Sequence, residues 1–85
     1  MFDVFLDIPA QAFLEEEGEK VYSRVIETLD ELAFDPVPPK AKRVIDSPEI
    51  IFRFRSRHLR FLYRLNYEKK TLIVITIEPL RRMYI

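Results

Sequence analysis

The chain has 85 residues, 48% hydrophobic and 33% charged, with a formal net charge of +0. That length suits one domain, residues 1–85, built around one small core. With no cysteine and one histidine, a disulfide framework, a thiolate site and a His-rich metal cluster are all excluded, so neither metal nor cofactor is expected.

In chain order, residues 2–8 alternate loosely, begin with β-favouring side chains, and are expected to form a strand. Pro9 fits the first turn of a helix, where its missing N–H is harmless. That helix should cover residues 10–17 and stop at Gly18, the only glycine. A second helix is expected over residues 19–34, because Val21, Tyr22, Val25, Ile26, Leu29, Leu32 and Ala33 recur at helical spacing. Asp35 precedes Pro36, a position that disfavours helical geometry, and so ends it. Pro36-Val37-Pro38-Pro39, with Lys40, Lys42 and Arg43, reads as a stiff basic loop reaching to Pro48. Three strands follow, over residues 50–57, 59–67 and 71–78. The last is apolar on both faces, as a central strand is. The expected fold is α+β, in the order β-α-α-β-β-β. It comprises a four-stranded sheet with the N-terminal strand beside the last one, an antiparallel three-strand meander, and the helical hairpin on one face. No stretch reads as a signal peptide or a membrane span, so the cytoplasm is the expected compartment and no membrane the expected partner.

The zero net charge conceals a polarity along the chain. Residues 1–35 hold ten acids against two bases, a balance of −8, and residues 36–85 hold the opposite balance of +8. Such asymmetry suggests a nucleic-acid surface; the other reading is that the halves neutralise each other across an ordinary surface. The arginine spacing favours the first. Strand side chains alternate between faces, so Arg53, Arg55 and Arg57 share one face, and Arg60, Leu62 and Arg64 share a face of the next strand. Leu59, Phe61, Tyr63 and Leu65 then turn toward the helices. A face studded with guanidiniums suits phosphate and nucleobase recognition.

Phe52-Arg53-Phe54-Arg55, then Leu59-Arg60-Phe61-Leu62-Tyr63, the apolar run 72–77 and the terminal Arg81-Arg82-Met83-Tyr84, taken in that order, resemble the RelE/ParE superfamily of toxins from toxin–antitoxin systems. The likeness is greatest to the RelE-type messenger-RNA interferases and spans nearly the whole chain. It implies a ribosome-dependent endonuclease that cuts messenger RNA by attack of its own 2′-hydroxyl, without metal, and so inhibits translation. It further implies a RelB-like antitoxin as partner, here expected to dock an amphipathic helix in a groove. By the same resemblance Arg53, Arg55 and Arg60 are the catalytic-face cations, Arg81 meets the scissile phosphate, and Tyr84 stacks on the reacting nucleotide. Arg82 is a further candidate beside Arg81.

Prepositioned guanidiniums stabilise the charge that builds up in such a transition state. Histidine is the side-chain type that changes charge nearest neutrality, so His58 is a candidate for proton transfer; the plainer reading places it in a solvated bend. Lys40, Lys42, Arg43 and Arg64 are candidates for contacting RNA or the ribosome. Relatives often carry a glycine-bearing turn where this chain has Arg57-His58-Leu59, and lysines at the first catalytic-face positions where it has Arg53 and Arg55. Two alternatives stay open: a ParE-like toxin acting on DNA gyrase without nuclease activity, and a catalytically weak RNA-binding relative.

Overall fold

The computed structural model describes residues 1–80. Strand β1 (Asp3–Leu6) leads into helices α1 (Ile8–Glu16) and α2 (Glu19–Phe34), then strands β2 (Lys42–Arg43), β3 (Ile51–Ser56), β4 (Leu59–Asn66) and β5 (Thr71–Pro79). The sheet runs β1-β5-β4-β3-β2, with β1 parallel to β5 and every other pair antiparallel.

The expected architecture is corrected in its strand count: the sheet has five strands, not four. The added strand, β2, lies inside the proline-bearing loop and pairs Lys42 with Arg53 and Arg43 with Phe52. Its two residues are too few to show a period, and neither is β-branched. The N-terminal strand is also shorter than expected, because Asp7 caps the first helix. Its carboxylate accepts the Ile8 N–H at 2.8 Å, so α1 begins at Ile8. The Gln11 side chain then donates to the Leu6 carbonyl at 2.8 Å and fixes the strand-to-helix corner.

Helix α2 buries Val25, Thr28, Leu29, Leu32 and Ala33. Tyr22 shares this helical face but is half exposed. The helices supply Ala10, Val25, Leu29 and Leu32 to one core with Phe52, Phe61, Tyr63, Leu65, Leu72, Val74 and Ile77 of the sheet. All these sheet residues belong to a single face, so the helical hairpin covers one side and leaves the other open.

Strand β5 carries a bulge. Tyr63 faces Val74 while Leu62 faces Thr76, so Ile75 is an extra residue without an opposite number. Leu72 and Val74 are core residues, but past the bulge the buried position moves from even to odd numbers, at Ile77.

The β3–β4 hairpin closes through Arg57 and His58, between the paired residues Ser56 and Leu59. Arg57 has φ 58°, a left-handed conformation that a β-carbon disfavours. It therefore leaves the strand before it can join Arg53 and Arg55 on their face. Arg57→Gly is expected to stabilise the fold by about 0.5–1 kcal/mol, the left-handed strain less glycine's extra unfolded-state entropy. Urea unfolding of the two proteins measures it.

Candidate functional site

The open face of β3 and β4 takes its character from the core behind it. With Phe52, Phe61 and Tyr63 buried, alternation turns Arg53, Arg55 and Arg60 outward, and all three are exposed. Arg55 faces Arg60 directly across the β3–β4 pair. Lys42 faces Arg53 across the β2–β3 pair, so the short fifth strand adds a cation to the same surface. Together with Lys40, Pro39, Phe54 and Leu80, these residues line an open groove of about 650 Å³.

Five cations thus converge on one depression. Among the described residues the only ion pair lies elsewhere, between Arg64 Nε and Glu49 Oε2 at 3.7 Å. The groove cations therefore form no ion pair with a carboxylate of a described residue. Two cross-strand pairs, Lys42/Arg53 and Arg55/Arg60, set like charges face to face, an arrangement that destabilises a sheet by roughly 0.2–1 kcal/mol per pair. Such a concentration of positive charge attracts anions.

The remaining candidates are placed apart. Arg43 pairs with the inward-facing Phe52 and does not line the groove. Arg64 is on the open face but farther along β4, tied to Glu49 beside a separate cavity of about 350 Å³. His58 lines neither; it borders a cavity of about 220 Å³ on the helix side, with Phe13, Val21, Arg24 and Leu59. Arg81, Arg82 and Tyr84 lie outside the described residues. Phe52, Phe61 and Tyr63 are buried in the core and offer no base-stacking platform, whereas Phe54 packs against the core and also lines the groove. Among the described residues, no group of three or more His, Cys, Asp or Glu is arranged to hold a metal ion. No helix of the described residues is long and apolar enough to cross a membrane.

The loop bearing Lys40 and Lys42 is anchored from beneath. The Tyr63 hydroxyl donates to the Pro36 carbonyl at 2.6 Å, and its ring stacks on Phe52 with centroids 6.0 Å apart. Ala41 N–H closes a turn onto the Pro38 carbonyl at 2.9 Å, delivering the chain to β2. Sequence reading took Tyr63 for core alone; its role as a tether has no local signature, because Pro36 is 27 residues away.

No protein-family model matches the sequence, and no curated protein matches it. Solved structures do match the fold, which is that of the RelE toxins. RelE in the archaeal RelE–RelB complex from Pyrococcus horikoshii superposes with a TM-score of 0.81 at 21% identity, covering 96% of this chain and 98% of that one. The isolated Escherichia coli RelE toxin gives 0.80 at 19% identity, over 98% and 88% of the two chains. The RelBE2 toxin–antitoxin complex from Mycobacterium tuberculosis gives 0.80 at 20% identity, over 92% and 96%.

Two outcomes follow from this geometry. Arg55→Glu should raise the thermal midpoint, since it replaces a repulsive pair across from Arg60 with an attractive one, and should leave phosphate affinity in the groove lower than in the parent; calorimetry and phosphate titration by NMR read the two effects. Burial pushes the Tyr63 hydroxyl pKa upward, with Tyr67 and Asp35 adding to the shift. A raised folded-state value means its contribution to stability is complete below the unfolded tyrosine pKa of about 10 and declines as pH rises beyond it. Tyr63→Phe should lower stability at neutral pH by about 1–3 kcal/mol, through the unsatisfied Pro36 carbonyl, and flatten that alkaline decline. Unfolding curves between neutral and alkaline pH check both.

Proposed function

We propose that this protein is the toxin of a toxin–antitoxin pair, a cytoplasmic endoribonuclease that cleaves messenger RNA on the ribosome and so blocks translation. The observation that carries the reading is the groove itself: five cations without carboxylate partners among the described residues, on the open sheet face of a RelE-type fold. Phosphodiester cleavage by the neighbouring 2′-hydroxyl requires no metal, but it requires stabilisation of the extra negative charge at phosphorus. Arg53, Arg55 and Arg60 are assigned that role. Arg81, with Arg82 as a further candidate, is assigned the contact with the scissile phosphate, and Tyr84 the stacking on the splayed base.

A domain this small offers little surface for substrate selection, which favours positioning by the ribosome. Its zero net charge argues against avid binding of free RNA, because such binding sums many phosphate contacts. The partner that restrains it is a RelB-like antitoxin, in keeping with the complexes among the matching structures.

Purified protein added to ribosomes programmed with message should cut the message, and naked transcripts at the same concentration should survive. Arg55→Ala should reduce single-turnover cleavage by about 10²–10³-fold, the loss typical of one transition-state donor. Equal cutting of naked RNA would overturn the ribosome dependence. Intact message together with inhibition of DNA supercoiling would move the protein to the gyrase-directed class.

A further inference from the structure

The groove cations stabilise charge but lack a proton acceptor: a guanidinium does not give up its proton under ordinary conditions, and a charged ammonium accepts none. One carboxylate stands beside them. Glu78 is paired across the β4–β5 ladder with Arg60, which is itself paired with Arg55, so the three form a single row over β3, β4 and β5. Glu78 also precedes by two residues Leu80, and both Arg60 and Leu80 line the groove.

The bulge is what puts it there. Leu72 and Val74 point into the core, and unbroken alternation would send residues 76 and 78 after them. The unpaired Ile75 shifts the phase, so that Ile77 packs into the core and Glu78 emerges, exposed, on the cationic face. Bulges re-aim side chains next to active sites in many sheets. Although they face each other in register, Arg60 and Glu78 form no ion pair, leaving the carboxylate available.

We infer that Glu78 is the general base of this site, an inference that rests on the nuclease reading above. The 2′-hydroxyl proton passes to the Glu78 carboxylate as the 2′-oxygen lone pair forms a bond to phosphorus. The bond from phosphorus to the 5′-oxygen breaks, its electron pair leaves on that oxygen, and water supplies the proton it takes up. The products are a 2′,3′-cyclic phosphate and a 5′-hydroxyl; Glu78 returns its proton to solvent. Arg55 and Arg60, in the same row, face the phosphoryl oxygens.

The competing role for Glu78 is charge balance against Arg60, and the two roles differ in sign. Glu78→Gln is tested in single-turnover cleavage on programmed ribosomes, beside affinity for ribosomes carrying a message with a 2′-deoxy nucleotide at the cut. As a base, its loss slows cleavage by about 10²–10⁴-fold while affinity holds or tightens, because a negative charge has left an RNA site. Glu78→Ala, equally slow, regains activity on addition of formate. If Glu78→Gln cleaves at the parental rate, or formate restores nothing to Glu78→Ala, the assignment falls and the nuclease reading stands. A parental protein that leaves the message intact overturns both.

Discussion

Phe61 and Tyr63 are completely buried, and a strand cannot bury two alternate residues without turning their neighbours the other way. The same holds on β3, where Phe52 is seated in the core and Arg53 is thereby sent outward. The site is in this sense a by-product of packing. Removing the large inward side chains would leave nothing to fix the strand register, and a one-residue slip would carry every arginine to the opposite face. The buried aromatic residues thus decide where the cations stand.

Packing explains the alternation, whereas the tolerance of repulsion requires another account. Lys42 opposite Arg53 and Arg55 opposite Arg60 weaken the very ladders that hold the sheet together. The acids of the chain are concentrated in residues 1–35, largely on the helices, yet the described groove cations draw no partner from them. The sheet separates the two charges, acidic helices on one side and basic groove on the other. A protein with no net charge therefore presents a cationic groove on the open face of its sheet.

Much of this was legible before any coordinates. The helical spacing from Val21 to Ala33 and the Asp35-Pro36 stop located α2, and the apolar run 72–77 marked a strand flanked on both sides. Strand alternation at Arg53, Arg55 and Arg60 gave the open face. Three features were not legible, each for its own reason. Strand β2 is two residues long, and no period exists in two residues. The bulge at Ile75 sits within a run of Leu, Ile and Val in which any phase looks apolar, so Glu78 could not be assigned a face. The divergence of His58 and Arg57 from the arginine face depends on the left-handed turn at Arg57, a conformation that sequence rarely signals outside glycine and asparagine.

The brevity of β2 has a bearing on solubility as well as on the groove. A long, flat outer strand offers unsatisfied N–H and C=O groups to any other extended chain, and so invites fibrous self-association. Here that margin is two residues long, carries a positive charge on each, and is bracketed by Pro38 and Pro39 on one side and Pro48 on the other. Chains approaching edge to edge would meet mutual repulsion and backbone positions lacking a donor. Lys42 and Arg43 thus guard this edge of the sheet, Lys42 while also crowding Arg53.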